Sequence, residues 1–361
     1  MGLVTPFFSG SYSSADCIFL LNPVDFEELS VSEKDLRIRQ KVSHYSETLT
    51  KETAPSAETM VLHSEAIARN GAKLAQACVS LAAAMHTQLG NKIAVVSLAR
   101  AGTPIGVVVS RILRERGVAC PHFSISVVRD KGADLAALKY IWDALGPEYA
   151  VAFVDGWTGK GVISGEIANS VHIFNKQTGA NFPDKIWVVS DLGGSAGWSA
   201  DYNDWLIPSC MLNSTISGLV SRTLVLSDHK PGTFHSCKYL GHLAGIDVSN
   251  EFVDTIFNLT KGLTPVPLAL AQGKHCNKQL MQETLRRLMQ IADVSDKNWV
   301  KLGIGEATRV LLRRVPELLW LRNIVDADTV HLVELATLRG VPIQVDASLE
   351  FKAAALIKSK D

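Results

Sequence analysis

The chain has 361 residues, of which 47% are hydrophobic and 20% are charged, a composition typical of a globular protein with a sizeable core. Basic and acidic residues both number 36, so the zero net charge excludes a general electrostatic attraction to nucleic acid or membranes, and any basic site has to be local. The length predicts two or three domains.

The first residues lack the basic segment and apolar run of a secretory signal, and no apolar run approaches about 18 residues. Six cysteines are scattered without a C-x-x-C pair or zinc-ligand spacing: Cys17, Cys78, Cys120, Cys210, Cys237 and Cys276. This usage predicts reduced, mostly buried thiols. We therefore expect a cytoplasmic protein without a membrane span.

Segment 1–60 is predicted to be an N-terminal extension that packs on the core. A short apolar run at 18–21 predicts a buried segment, the polar residues 30–40 predict a helix, and the Ser-, Thr- and Glu-rich residues 44–56 predict an exposed loop. From 59 to 85 apolar residues recur at helical spacing, which predicts one long helix or two short ones.

Strands and helices then alternate along the chain. Apolar runs predict strands at 92–99, 151–154 and 185–190, and alternation of apolar and polar residues predicts one at 122–128. Helical patterns predict helices at 104–116, at 135–145 and from 162 onward. Such alternation predicts an α/β domain with a doubly wound, mostly parallel sheet, whose ligand site lies at the carboxyl ends of the strands. Arg100, Asp155 and Asp191 follow three of these strands, so we expect them to face one crevice.

A glycine-rich turn follows the strand that is predicted to end at Asp155. Gly156, Gly159 and Gly161 bracket Lys160 just before the next predicted helix. Glycines let backbone N–H groups approach an anion, the start of a helix carries partial positive charge, and the lysine adds a full charge. The pattern is typical of a phosphate-binding turn, although an ordinary glycine turn of an α/β domain explains it equally well.

This stretch resembles the PRPP-binding loop of type I phosphoribosyltransferases, except that Gly156 stands where that family has a second acidic residue. Segment 97–106, SLARAGTPIG, resembles the pyrophosphate loop of the same enzymes, and 129–134 lies where they carry a mobile catalytic loop. The resemblance implies a phosphoribosyltransferase-like core over 61–262. It also implies a Mg²⁺-dependent transferase that uses PRPP as co-substrate, or the reverse phosphorolysis of a nucleotide.

The same resemblance implies a role for each matching residue. Asp155 is expected to bind ribose hydroxyls and Mg²⁺, and the three basic residues Arg100, Arg129 and Lys131 to act on the pyrophosphate. The residues expected to hold the phosphate groups are Ala101, Gly102, Thr103, Gly156, Trp157, Thr158, Gly159, Lys160 and Gly161. A strand-end salt bridge of Arg100 and a plain surface turn at 129–134 are the structural alternatives.

Residues 200–250 combine aromatic and small polar side chains, which suit the recognition of a flat, nucleobase-like ring. The candidate contacts to a nucleotide-like substrate are Asp191, Tyr202, Asn213, Ser214 and Arg222. The alternative is that 219–226 is a strand and that the other residues form its loop.

The C-terminal part is predicted to begin with a linker and a helix over 263–298, the helix itself covering 277–293. A small α/β/α domain is predicted over 299–361. Its expected strands are 299–302, 317–321 and 342–345, and its expected helices are 306–314, 327–338 and 351–358.

The first helix of this domain is entered through GIGEATR, residues 303–309, which resembles the RNA-binding turn of Pelota-like and ribosomal kink-turn-binding domains. The matching residues are Gly303, Glu306 and Arg309, whereas Gly305 replaces the asparagine that reads a base edge in that family. The resemblance therefore implies binding to an RNA backbone or to transfer RNA. A capped helix with solvated arginines is the structural alternative.

Over nearly its whole length the chain resembles a bacterial family found with tellurite-resistance and stress genes, whose members fuse a phosphoribosyltransferase-like core to a Pelota-like domain. That family often carries the label of a cysteine protease, StiP. A cysteine peptidase is therefore one alternative function, and a non-catalytic nucleotide sensor coupled to RNA through the C-terminal domain is another. The sequence does not decide whether the chain forms a homodimer.

The peptidase alternative needs a thiol and a base that are close in space, which a sequence cannot show. The candidate residues are Cys17, Cys210 and Cys237 as nucleophile and His44, His63 and His235 as base. No papain-type or caspase-type signature surrounds Cys17, so we expect that residue to be dispensable.

Overall fold

A computed structural model describes residues 8–26, 28–29, 47–268 and 271–357, without the side chains of 271–276. The helix predicted over 30–40 lies outside the described residues, as does His44. In the described part no helix is long and apolar enough to cross a membrane.

The N-terminal unit contains eleven of the described strands and five of the described α-helices. Its strands are β1 (Ile18–Leu20), β2 (Asn22–Pro23), β3 (Glu28–Leu29), β4 (Leu49–Thr50), β5 (Ile93–Ala99), β6 (His122–Val128), β7 (Gly132–Ala133), β8 (Ala150–Thr158), β9 (Ile186–Asp191), β10 (Trp198–Asp201) and β11 (Ser236–Cys237). Its helices are α1 (Ala57–Leu89), α2 (Thr103–Glu115), α3 (Leu135–Leu145), α4 (Val162–Thr178) and α5 (Ser249–Leu259). Three 3₁₀ turns follow β10, at Pro208–Met211, Ser214–Ile216 and Gly241–Ile246.

The central sheet has the strand order β1-β6-β5-β8-β9-β10, and every pair in this path is parallel. From β5 the chain passes to β6 on one side, and β8 then pairs with β5 on the other side. The carboxyl ends of β5 and β8 thus form the crevice in which doubly wound sheets bind ligands. The predicted α/β class with a mostly parallel central sheet is confirmed.

Both faces of this sheet are covered by helices. Residues alternate along β8: Ala152 and Val154 pack with α1, α2 and α5, whereas Val151 and Phe153 pack with α3 and α4. Because a strand exposes successive side chains to opposite faces, a sheet buried on both sides needs the continuous apolar runs seen in the sequence.

The C-terminal unit begins with α6 (Ala271–Ile291) and continues with β12 (Val300–Leu302), α7 (Ile304–Arg313), β13 (Leu318–Leu321), α8 (Val330–Leu338), β14 (Ile343–Val345) and β15 (Ala353–Leu356). Its sheet has the order β12-β15-β13-β14, with β15 antiparallel to both of its neighbours.

The helix predicted over 351–358 is wrong, because β15 lies there instead. Its residues AAAL are good helix formers, but all four are buried and pair with β13, and three of them also pair with β12. Tertiary pairing therefore outweighs the helix propensity of alanine, which amounts to well under about 1 kcal/mol per residue.

Two further expectations about strands also fail. Strand β8 does not end at Asp155 but continues to Thr158, so Gly156 lies within the strand rather than in a turn after it. The alternative strand over 219–226 is absent: Leu219 has a positive φ of 56°, and only isolated bridges form at Val220 and Leu224.

Candidate functional site

The crevice at the carboxyl ends of β5 and β8 is covered by the C-terminal unit, and Trp157 lies at its centre. A cavity of about 130 Å³ lies on one side of this ring and is lined from both units. Smaller spaces of about 10 and 20 Å³ adjoin the same ring. The charged residues that line these spaces are Arg100, Arg129, Asp155, Lys160, Asp204, Lys301, Glu306, Arg309 and Arg313.

Arg100 lies at the end of β5, where it forms an ion pair with Glu52 and donates to the carbonyl of Val220 at 2.8 Å. Burial pushes the pKa of Glu52 upward, but the charge and hydrogen bond of Arg100 outweigh burial and hold this pKa below its ordinary value. The guanidinium predicted to hold pyrophosphate is thus engaged by the protein itself, as in the salt-bridge alternative.

Ala101 lines the crevice. The next two residues, Gly102 and Thr103, make contacts within the protein instead of lining that space. A Cβ at Gly102 would lie 2.6 Å from the carbonyl oxygen of Val154, so only glycine fits between the two strands. The hydroxyl of Thr103 lies 2.8 Å from that of Ser124, where both are buried.

Thr158 and Asp191 bind each other rather than facing the cavity together. The hydroxyl of Thr158 donates to Asp191 and accepts from the backbone of Gly193 at 3.1 Å. The carboxylate of Asp191 also accepts from the backbone of Ser195 at 2.8 Å and of Ala196 at 3.1 Å. Asp191 therefore organises the loop after β9.

Lys160 reaches across the crevice to the C-terminal unit. Its Nζ donates to the carbonyl of Val300 at 2.6 Å and to that of Lys297. Burial lowers the pKa of Lys160 to about 7, and the nearby charge of Lys301 acts in the same direction. Gly161, with a φ of 79°, starts α4 beside it, and Gly159 lines the same cavity. The lysine predicted to bind a phosphate joins the two units.

Asp155 is half-buried beside Gly156, whose N–H donates to its Oδ1 at 2.8 Å. Burial raises the pKa of Asp155 from 3.8 to about 6, against the lowering effect of that hydrogen bond and of the Arg309 charge. Within the described residues no group of three His, Cys, Asp or Glu side chains is arranged to hold a metal. The Mg²⁺ expectation stays a prediction.

This raised pKa predicts how stability depends on pH. Between about pH 4 and 6 the folded protein holds a proton on Asp155 that the unfolded chain has released, so this group makes stability fall as pH rises. Asp155→Asn removes that loss and keeps an acceptor for Gly156. We expect the variant to exceed the wild type in unfolding free energy by about 1–3 kcal/mol at pH 7.5, but not at pH 4.

Urea unfolding at the two pH values measures this difference. Asp143→Asn on exposed α3 is the matched control, since it removes a surface carboxylate that pairs with Lys139. An Asp155→Asn advantage that is the same at both pH values would contradict the assignment.

The remaining predicted residues are spread over different surroundings. Arg129 lines the cavity and lies 3.4 Å from Asn298, whereas Lys131 is exposed. Of the proposed substrate contacts, Asn213 lines the crevice and accepts from Arg313 at 3.0 Å. Ser214 is buried, Tyr202 accepts from Asn277 through its carbonyl, and Arg222 donates to the carbonyl of Thr48. The described structure does not bring these side chains together.

The predicted RNA-binding turn faces the N-terminal unit. A Cβ on Gly303 would lie 2.3 Å from Leu192. The guanidinium of Arg309 lies over the ring of Trp157 at 4.7 Å and 3.6 Å from the carboxylate of Glu306. The alternative of a capped helix with solvated arginines is therefore wrong for Arg309.

Sequence reasoning missed Asp204 and Glu52. Asp204 accepts from the backbone N–H groups of Ile304 and Lys352, both at 2.9 Å, and thus binds the start of α7. Glu52 pairs with Arg100, 48 positions away, and Asp204 binds Ile304 and Lys352, which are farther away still. No local sequence pattern could therefore reveal either contact.

The five described cysteines are all free and buried, as the sequence predicts, and Cys276 has no described side chain. Burial raises the pKa of each of these thiols. Cys17 is additionally disfavoured as a thiolate by Asp16. Burial raises the pKa of Cys210 and of Cys120 to about 12, against the charge of a nearby arginine in each case, Arg309 for Cys210 and Arg114 for Cys120.

Comparison with known proteins identifies the family of this chain, which the geometry alone does not. Residues 10–257 match the family described as tellurite-like stress resistance cysteine protease StiP, and residues 279–359 match the PELOTA RNA binding domain. A curated relative, the cysteine protease StiP of Acinetobacter baylyi, is 35% identical over 364 residues, which cover 97% of this chain and 94% of the relative.

The expected phosphoribosyltransferase activity is wrong on this evidence, and the role of PRPP as co-substrate falls with it. Both matches over the predicted core name a cysteine protease rather than a transferase. The residues that carried the transferase resemblance are also engaged elsewhere: Arg100 pairs with Glu52 and Lys160 binds backbone carbonyls. With a C-terminal RNA-binding domain attached, the chain belongs to the StiP family of tellurite-like stress resistance cysteine proteases.

Proposed function

We propose that this chain is a cysteine peptidase whose nucleophile is Cys210, on the 3₁₀ turn Pro208–Met211 beside the interdomain crevice. The A. baylyi relative is named a cysteine protease, which supports peptide hydrolysis as the reaction. The observation that carries the choice of residue is the position of the turn. Ser209 and Leu212, which flank Cys210 and Met211, both line the crevice.

The surroundings of Cys210 favour it over the other four described thiols. Cys78 and Cys237 are surrounded by the core, and burial alone sets their raised pKa. Cys120 lies beside Arg114 but far along the sheet from the crevice, next to β6 on the amino-terminal side. Cys210 combines a nearby cation, Arg309, which lowers the thiol pKa against the larger effect of burial, with a position on a turn beside the crevice.

A base is available in the same region. Helix α1, which carries His63, packs on the turn Pro208–Met211, and the backbone of Pro208 acts to raise the pKa of His63 against the effect of burial. The Nδ1 of His63 has no partner among the described residues. Burial lowers the pKa of His63 to about 4, so the ring is neutral near pH 7 and can accept a proton. In the proposed reaction His63 takes the thiol proton as Sγ attacks the scissile carbonyl carbon.

The remaining steps follow the chemistry of thiol acylation. The carbon–nitrogen bond breaks, the departing amine receives the proton from His63, and the acyl group stays on Cys210 as a thioester. Water then hydrolyses the thioester, which releases the carboxylic acid and restores the thiol. In the described state Cys210 is covered by Thr308 of α7, so α7 must move before a peptide can reach the thiol.

The test is hydrolysis of a fluorescent casein by the full-length protein, before and after treatment with iodoacetamide. We expect hydrolysis that alkylation blocks and that a metal chelator leaves unchanged. Hydrolysis that survives complete alkylation of the thiols would contradict a cysteine peptidase.

We also propose that the C-terminal unit binds RNA through Gly303, Glu306 and Arg309, with Arg313 and Arg314 extending the basic edge. The match to an RNA-binding domain supports this second activity. Helix α7 has backbone N–H groups at its start and arginines on successive turns, the groups that contact an RNA backbone.

A further inference from the structure

The start of α7 is occupied by a carboxylate of the N-terminal unit. Asp204 accepts from Ile304, the first residue of this ten-residue helix, and from Lys352 next to it, each at 2.9 Å. The backbone donors and the partial positive charge of the helix start favour an anion here, while burial acts against it and raises the pKa of Asp204 to about 6. A phosphate group would make the same contacts.

The next turn of α7 is occupied by a flat aromatic ring. The ring of Trp157 lies under the guanidinium of Arg309, 4.7 Å away, and against the backbone of Gly305, where a Cβ would lie 3.1 Å from it. Arginine planes and exposed glycine backbone are surfaces on which RNA bases stack. The N-terminal unit thus offers α7 a carboxylate and an aromatic ring at the places where a nucleotide would offer a phosphate and a base.

We propose that the entry turn of α7, residues 303–309, is a shared surface that binds either Asp204 and Trp157 of the same chain or RNA. The family match of this unit to an RNA-binding domain supports RNA as the competing partner. Two of the three residues that match the family's RNA-binding turn lie against these groups, Gly303 beside Asp204 and Arg309 over Trp157. RNA and the N-terminal unit cannot occupy them together.

The shared surface makes the crevice responsive to RNA. Helix α7 packs on the turn Pro208–Met211, and Cys210 on that turn is buried, with 3% of its surface exposed. RNA that displaces Asp204 and Trp157 from α7 therefore uncovers this thiol. Insofar as Cys210 is the nucleophile, a step that rests on the proposed function, RNA activates the peptidase.

The test measures RNA binding and needs no peptidase activity. Labelled transfer RNA is titrated by fluorescence anisotropy with the full-length wild type and with Asp204→Ala, Trp157→Ala and Arg309→Glu. Removing a competing group raises the fraction of open molecules, so we expect Asp204→Ala and Trp157→Ala to bind about tenfold more tightly. Arg309→Glu breaks the same contact but repels phosphate, so we expect it to bind at least about tenfold more weakly.

Competition predicts opposite changes in RNA affinity for the two sides of this contact: tighter binding when Asp204 or Trp157 is removed, and weaker binding when Arg309 is replaced. Asp201→Ala is the matched control, since it removes an acid of the same segment that pairs with Lys73 of α1 at 3.0 Å. We expect it to bind RNA like the wild type. Equal RNA affinity in the wild type, Asp204→Ala and Trp157→Ala would overturn the proposal.

Alkylation of Cys210, followed by mass spectrometry, provides a second measurement. We expect transfer RNA to accelerate this reaction at least about tenfold in the wild type, and both opening variants to react fast without RNA. Cys78, which lies within α1, reports on global unfolding and should stay slow throughout. Unchanged Cys210 reactivity in the presence of saturating RNA would contradict the shared surface even if the chain is a peptidase.

Discussion

Replacing Cys210 by alanine is expected to lower peptide hydrolysis by about 10³-fold or more, because removal of the nucleophile of a covalent mechanism leaves only residual catalysis. His63→Ala should lower it by about 10²–10⁴-fold, the contribution of a general base. Initial rates on the same fluorescent casein, with each variant checked by circular dichroism, measure both effects.

The other thiols are the controls for this experiment. Cys17→Ala, Cys78→Ala and Cys237→Ala should keep hydrolysis close to that of the wild type, because none of these thiols lies on the turn Pro208–Met211 beside the crevice. Cys276→Ala is included since its side chain is outside the described residues. Loss of activity in Cys276→Ala, with full activity in Cys210→Ala, would reassign the nucleophile.

Arg100→Ala is expected to destabilise the folded protein by about 2–4 kcal/mol, because it leaves a carboxylate buried without its ion-pair partner. Glu52 keeps the backbone N–H of Ser214 at 3.3 Å, which offsets part of the loss. The carbonyl of Val220 also loses the donor that it has at 2.8 Å. Guanidinium chloride unfolding near pH 7 measures the change.

The double variant Arg100→Met, Glu52→Gln separates the ion pair from the loss of packing. With both charges removed, we expect about half or more of the stability to return. If Arg100→Ala unfolds at the same denaturant concentration as the wild type, the guanidinium does not stabilise the folded protein, which would contradict its assignment as a structural group.

The sequence predicts the central sheet well because local pattern and burial agree there. Segment 92–99 forms β5, whose run is largely apolar on both faces, and 122–128 forms β6, where Phe123 and Ile125 alternate with buried polar residues. The error at 351–358 has the opposite cause. Alanines carry little information about their environment, and β15 is defined by its two neighbouring strands.

The candidate site is less predictable because the contacts that define it are distant in sequence. The turn around Lys160 has the composition of an anion-binding turn, and nothing local indicates that the backbone at Val300 accepts its ammonium group. In the same way, Glu306 and Arg309 match an RNA-binding pattern, but Trp157 and Asp204 cover that surface. Local motifs identified residues that meet at the interface without showing what each one binds.

The most direct test of the central claim is to trap the nucleophile. The full-length protein is incubated with a peptidyl epoxide that reacts irreversibly with catalytic thiolates, with and without transfer RNA, and the modified residue is identified by tryptic mass spectrometry. We expect one modified residue, Cys210, whose labelling is accelerated by RNA and lost in His63→Ala. Labelling of another cysteine, or equal labelling of Cys210 in His63→Ala, would contradict it.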